Sequence, residues 1–290
     1  MSEATFKLSN GVKIPEMGIG TFQMSVDDAE QAVVDALKAG YRLVDTANAY
    51  MNETGVGRGI KRSGVPRSDV FLSTKLWPTV YTDDNAVNDT LQRLGTDYVD
   101  LMFLHQPAGD FLTGYHQLEK AYKDGKVKAI GISNFQGEKL QQLLDNVEIK
   151  PHVIQAEAHP YFTEDEVRTI LKPFGTRLMA WFPLGHGDKS LIQEPIFAEL
   201  GRKYHKTSAQ VILRWHTQMG FIVIPGSTNP DHIRDNHDIF DFTLTDEEMA
   251  KIAGVKKNIR YYTPSAENEE KYATMALDFS TTNLQLKCNK

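Results

Sequence analysis

Short apolar runs alternate with amphipathic stretches along the whole chain, and this alternation sets the expected fold. The runs predict strands at residues 17–20, 41–45, 70–75, 99–104, 127–132, 153–157, 177–182 and 221–225. Helical patterns lie between them. Ser25 caps one, with Asp28 in the capping-box position, Ala29, Ala32, Val33, Ala36 and Leu37 on one face, and Gly40 as the stop. Thr207 and Gln210 form a second capping box ahead of Val211, Ile212 and Trp215, and Thr82 opens a further helix that turns Val87, Leu91 and Leu94 inward. Eight strands alternating with helices favour a (β/α)8 TIM barrel over a doubly wound sheet. Asn10-Gly11 between two short apolar segments signals a β-hairpin, placed to cover the barrel bottom. The chain therefore reads as one domain over 1–290: a hairpin cap at 1–16, the barrel at 17–253 and a C-terminal tail at 254–290. Tyr261, Tyr262 and Tyr272 suggest a tail packed on the barrel, with 283–290 frayed.

The polar residues that close the apolar runs carry the chemistry. Asp45, Lys75 and His105 end three successive predicted strands, and Tyr50 follows the first of them. Ionisable groups at buried strand ends are costly unless paired or used. Barrel enzymes gather their sites at these ends. A free Tyr is a reluctant acid near neutral pH; an ammonium beside it stabilises the phenolate and lowers its pKa, and a carboxylate keeps that ammonium charged. His105 can orient a substrate oxygen. The set is suited to protonating an alkoxide that forms from a carbonyl. Taken singly, each residue is more simply explained as a cap, a surface ion pair or a packing group.

Composition narrows the setting. The 290 residues carry a formal charge of -6, with 41% hydrophobic and 24% charged residues, as in an ordinary soluble protein. Mild acidity gives no reason to expect nucleic acid or an anionic membrane as partner. No apolar run approaches the roughly 20 residues of a membrane span. The N-terminus lacks the basic and apolar regions of a signal peptide. The single cysteine, Cys288, allows no internal disulfide and no cysteine metal site. A reducing, cytoplasmic setting is the expectation.

Ordered segments then carry a resemblance. They are Gly40-Tyr41-Arg42-Leu43-Val44-Asp45-Thr46-Ala47, Tyr50, Asn52-Glu53, Val56-Gly57, Ser73-Thr74-Lys75-Leu76-Trp77, Asp97 to Leu101 and Leu104-His105-Gln106-Pro107. Gly125 to Phe135, Gln155, Pro183-Leu184-Gly185 and Ile224-Pro225-Gly226-Ser227-Thr228 follow. In these the chain resembles the aldo-keto reductases, in their bacterial, diketogluconate-reductase-like form. The resemblance implies a barrel that binds an extended nicotinamide cofactor without a Rossmann domain and, by family default, a monomer acting on a small-molecule carbonyl or alcohol. It implies Tyr50 as proton donor, Lys75 as the group lowering its pKa, Asp45 as the partner of Lys75 and His105 as substrate orienter. It places Ser133, Asn134 and Gln155 on the carboxamide and Trp181, where Tyr is common, against the nicotinamide ring. Thr21, Phe22, Pro183, Leu184, Gly226, Ser227, Thr228, His232, Asp235 and Asn236 complete the cofactor set. Phe22, Trp77, His105 and Gln106 line the substrate pocket.

Two departures bear on the cofactor and one on the pocket. Gly226 stands where a Lys commonly binds the 2′-phosphate, and His232 replaces an Arg common in NADP-preferring members. NADP(H) is the family default, and these losses open NAD(H) or dual use unless His232, Lys203 or another cation compensates. Gln106 replaces a frequent Trp, which implies a more open and polar pocket for small aldehydes, keto acids or diketo sugars. Gly55-Val56-Gly57-Arg58-Gly59 nears a dinucleotide fingerprint but has Ile60 at the third glycine. The leading reading is an NAD(P)H-dependent oxidoreductase reducing aldehydes or ketones with Tyr50 as general acid. The alternatives are a non-catalytic nicotinamide-cofactor-binding protein and a metal-dependent hydrolase using Asp45, His105, His152 and His159, which leaves Lys75 and Tyr50 unexplained.

Overall fold

The computed structural model describes residues 4–279. Cys288 and the frayed end expected at 283–290 lie outside the described residues. The hairpin forms from β1 (Thr5–Lys7) and β2 (Lys13–Pro15), with Phe6 opposite Ile14. Gly11 turns it at φ 89°, a conformation open mainly to glycine.

Eight parallel strands follow: β3 (Ile19–Gly20), β4 (Leu43–Asp45), β5 (Phe71–Leu76), β6 (Leu101–Leu104), β7 (Ile130–Ser133), β8 (Val153–Glu157), β9 (Arg177–Trp181) and β10 (Ile222–Val223). Each pairs with the next in sequence. The ring closes where Gly18 N–H donates to Val223 O at 2.8 Å and Val223 N–H to Glu16 O at 3.0 Å. That closure excludes the doubly wound sheet and leaves no open edge. The helices are α1 (Val26–Ala39), α2 (Glu53–Ser63), α3 (Ala86–Leu94), α4 (Phe111–Lys123), α5 (Gly137–Asn146), α6 (Asp165–Leu171), α7 (Lys189–Ile192), α8 (Pro195–Tyr204), α9 (Ser208–Gln218), α10 (Pro230–His237), α11 (Asp246–Ala253) and α12 (Ala266–Thr274).

Local chemistry explains most boundaries. The Ser25 hydroxyl accepts from the Asp28 N–H at 3.1 Å and donates to the Asp28 carboxylate at 2.7 Å. Gly40 ends α1 at φ 108°. The Thr207–Gln210 capping box forms in both directions. Thr82 does not open α3. Asp83 forms a turn first, its side chain accepting from Asn85 N–H at 2.9 Å and its carbonyl from Ala86 N–H at 3.0 Å, so the helix starts at Ala86. Val87, Leu91 and Leu94 are buried as expected.

The barrel has an apolar lower half. Leu43, Phe71, Leu101, Ala129 and Val153 fill it, and Leu8 and Ile14 of the hairpin pack into the same cluster. Asn10 Nδ2 donates to Lys128 O at 3.0 Å, which ties the hairpin to the loop before β7. Polar side chains are thereby left to the upper half, at the C-terminal strand ends.

The tail folds back over that end. Tyr261 and Tyr262 N–H groups donate to the two carboxylate oxygens of buried Glu157 at 2.6 and 2.9 Å. Arg260 pairs with Glu164 at 3.1 Å, and α12 is held through Lys139–Glu269 at 2.5 Å. Tyr261 also reaches Asp188, in the loop after β9, at 2.7 Å. No helix among the described residues is long and apolar enough to cross a membrane.

Buried His216 fastens α9 to the loop after β8. Its ring nitrogens lie 2.8 Å from Ile212 O and 3.0 Å from Ala158 O. Burial pushes its pKa down from 6.5 to about 4, against the pull of the two carbonyls. The unfolded chain takes up a proton near the ordinary value and the folded one does not, so stability is present above pH 6.5 and is lost as pH falls towards 4. The stability gap between wild type and His216→Asn, read by urea denaturation, should narrow over that window by up to about 3 kcal/mol. A gap independent of pH would show that His216 does not titrate in this way.

Candidate active site

The centre is built by strand register. Phe71, Ser73 and Lys75 alternate along β5 and face into the barrel, and Asp45 is the direct partner of Ser73 across the β4–β5 ladder. Lys75 Nζ meets Asp45 Oδ2 at 2.6 Å and donates to Thr46 O at 2.8 Å. Asp45 Oδ1 accepts from Ser73 Oγ at 2.7 Å and Gln155 Nε2 at 3.1 Å. Lys75 is wholly buried. Lys75 Nζ also lies 4.9 Å from the centroid of the Tyr50 ring.

Tyr50 sits on a one-turn helix, Asn48–Tyr50, after β4. Asn52 holds this loop. Its Nδ2 donates to Thr21 O at 2.8 Å and Met24 O at 3.0 Å, and its Oδ1 accepts from Thr46 Oγ1 at 2.9 Å. Below it, buried Glu53 accepts from Thr74 Oγ1 and Arg93 Nε, each at 2.7 Å. The Tyr50 ring packs on Phe22 at 5.0 Å and edge-on to His105 at 5.6 Å. Trp77 stands edge-on to His105 at 5.1 Å, and Tyr272 edge-on to Trp77 at 5.2 Å.

The electrostatics differ from expectation in one respect. Burial raises the Tyr50 pKa above 10; Lys75 opposes this, and Asp45 supports it. The expected lowering by Lys75 is present but outweighed, chiefly by burial, with Asp45 offsetting part of the ammonium's charge. Burial works against the Lys75 ammonium too, yet Asp45 and Tyr50 hold its pKa above 10.5. Burial and the neighbouring Lys75 drive His105 well below 6.5, so its ring is neutral at physiological pH. Its Nδ1 is buried with no hydrogen-bond partner among the described residues.

These groups open into a cleft of about 690 Å³, a size suited to a small-molecule site. Asp45, Tyr50, His105, Trp77, Gln106 and Phe22 reach it, as do Ser133, Asn134, Gln155 and Trp181. Pro183, Leu184, Gly226, Ser227 and Thr228 line it further along. The Trp181 indole donates to Asn134 Oδ1 at 3.0 Å, and Asn134 Nδ2 donates to Gln106 Oε1 at 3.2 Å. Three expected cofactor residues do not line the cleft itself: His232 and Asp235 are exposed on α10, just past Thr228, and Asn236 is buried there. Thr21 is also apart, with its hydroxyl turned to Asp45 O at 3.2 Å beneath the floor. His152 lies far below, its Nδ1 accepting from Ile130 N–H at 3.0 Å, and His159 bonds Glu157 at 2.9 Å. No cluster of three or more potential metal ligands occurs among the described residues.

Several contributors carry no single-residue signal in the sequence. Ser73, Asn52 and the Glu53–Arg93 pair act by supporting others, and only the presence of polar residues inside apolar runs hints at them. Phe182, held at φ 50° and stacked on His186 at 3.7 Å, lines the cleft. Met275 and Leu277 join Tyr262 and Tyr272 as the tail's wall.

A family model described as the aldo/keto reductase family matches residues 16–257. The chain is 44% identical over 261 residues to glyoxal reductase of Bacillus subtilis (strain 168), covering 88% of this chain and 94% of that protein. It is 38% identical over 270 residues to morphine 6-dehydrogenase of Pseudomonas putida, covering 87% and 91%. The crystal structure of a Bombyx mori aldo-keto reductase in complex with NADP superposes with a TM-score of 0.86 at 32% identity, covering 94% of this chain and 99% of that one. A closed barrel whose likeness to these proteins runs through nearly every strand and strand-end loop leaves one assignment: this chain belongs to the aldo/keto reductase family, oxidoreductases that work with a nicotinamide cofactor.

Proposed function

We propose that this protein reduces aldehyde or ketone carbonyls to alcohols, with Tyr50 as general acid. The observation that carries this reading is the wholly buried Lys75–Asp45 pair placed against the Tyr50 phenol. Two charges taken out of water cost several kcal/mol that a protein serving only to bind cofactor has no reason to bear.

The cleft fits a nicotinamide nucleotide. Ser133 and Asn134 offer hydroxyl and amide groups to a carboxamide. Gln155 commits its Nε2 to Asp45 and Met179, so its carbonyl oxygen is the atom that would accept from one. Trp181 supplies a flat apolar face. A Cβ on Gly20 would come within 2.9 Å of Ile224 O, and one on Gly226 within 3.0 Å of Gly20 O, so glycine keeps this part of the floor flat. Reduced nicotinamide, when bound there, supplies hydride. Tyr50 gives its hydroxyl proton to the carbonyl oxygen as that oxygen gains charge. Lys75 remains protonated and stabilises the phenolate left behind, and Asp45 keeps Lys75 in place. Neutral His105 bonds the substrate oxygen through a ring N–H and fixes the carbonyl's direction.

Cofactor discrimination between NADPH and NADH is weak in this reading. Lys203 is committed to Glu248 at 2.6 Å, and Arg234 on α10 pairs with Asp231. No lysine or arginine among the described residues lines the cleft. His232 is exposed and free of the close packing that makes Gly226 a poor site for a longer side chain.

Tyr50→Phe should lower kcat by at least roughly 100-fold with the cofactor Kd, read by tryptophan quenching, little changed. Near-normal turnover would remove Tyr50 from the proton-donor role. His232→Arg should tighten NADPH relative to NADH by about 10-fold through a charge-assisted contact with the 2′-phosphate. An unchanged ratio would place the phosphate away from α10.

A further inference from the structure

The substrate end of the cleft has aromatic walls and no lysine or arginine among the described residues. Phe22, Trp77, Tyr262, Tyr272, Met275 and Leu277 form the walls around Tyr50 and His105. The only formally charged side chain among the described lining residues is Asp45, and Lys75 matches it from beneath. Gln106 is a neutral amide whose oxygen is taken by Asn134. His105 is held neutral by burial and by Lys75. Reduced nicotinamide nucleotides bring phosphate charge and no compensating cation.

From this we infer that the enzyme selects uncharged, flat carbonyl compounds and rejects carboxylate-bearing ones, so keto acids and sugar acids are not its substrates. The inference rests on the carbonyl-reductase reading and specifies its substrate class. The physical cause is desolvation. An ionised carboxylate entering an aromatic-walled site loses its water and finds no ammonium or guanidinium to replace it. A neutral ring meets the same walls at favourable edge and face contacts, and apolar burial holds it. Trp77 and Tyr272, already edge-on to one another, offer such contacts beside His105.

The test compares two substrates of nearly equal shape, 4-carboxybenzaldehyde and methyl 4-formylbenzoate, with the wild-type enzyme and saturating reduced cofactor. The carboxylate should show kcat/KM on the order of 100-fold lower, mostly through KM. Tyr272→Arg, which puts a cation on the solvent-facing wall, should move the ratio towards the carboxylate by about 10-fold. Equal KM values for the two aldehydes, or a ratio that Tyr272→Arg leaves unmoved, would overturn the inference. Binding of the two corresponding alcohols to the protein with reduced cofactor, read by tryptophan quenching, reports the same selection without turnover. A protein that reduces neither aldehyde would sink the reductase reading, and the ratio of the alcohols' Kd values would still decide this one.

Discussion

The site depends on one buried ion pair. Lys75 and Asp45 are held 2.6 Å apart with almost no exposed surface. Such a pair is tolerable only when its remaining hydrogen-bonding capacity is filled. Here Ser73 and Gln155 serve the second carboxylate oxygen, and the Thr46 carbonyl serves the ammonium, with the Tyr50 ring beside it. Three strand ends and the loop after β4 therefore converge on a single electrostatic requirement. The requirement is also one of register. A slip of one residue along β5 would turn Lys75 out of the barrel and bring Thr74 in.

The supports around the pair act in series. Asn52 binds the loops after β3 and β4 through four polar contacts, and so fixes where Tyr50 stands. Glu53 bridges Thr74 on β5 to Arg93 on α3, which holds α2 against the strand that carries Lys75. The hairpin fills the lower barrel with apolar side chains, so the polar centre is confined to one end. The same surroundings that keep Lys75 charged keep His105 neutral and Tyr50 protonated.

Much of this is legible in the chain because it is local or periodic. Each strand lies within its apolar run or within a residue of its end, and Ser25, Gly40 and Thr207 act where their chemistry puts them. What escapes a linear reading depends on three-dimensional neighbours. The Asp83 turn displaces the α3 start from Thr82 because a side chain competes for backbone N–H groups. The direction of the Tyr50 pKa depends on how far Asp45 cancels Lys75 against the weight of burial, a balance no motif records. Thr21 is turned to Asp45 and Asn52, 24 and 31 residues on, and His232 and Asp235 of α10 are not among the residues that line the cleft. Met275 and Leu277 become wall residues only through the return path of the tail.

That return path is fixed by main chain. Glu157 holds the tail through the N–H groups of Tyr261 and Tyr262, which any residue except proline could supply at those two positions. Asp45, Tyr50, Lys75 and His105 come from the barrel, whereas much of the wall comes from the tail, whose main-chain contacts to Glu157 are joined by the side-chain pairs Arg260–Glu164, Lys139–Glu269 and Tyr261–Asp188. Chemistry and selectivity are thus encoded in separate stretches of sequence. The wall can therefore change by substitution in the tail without disturbing the buried pair in the barrel.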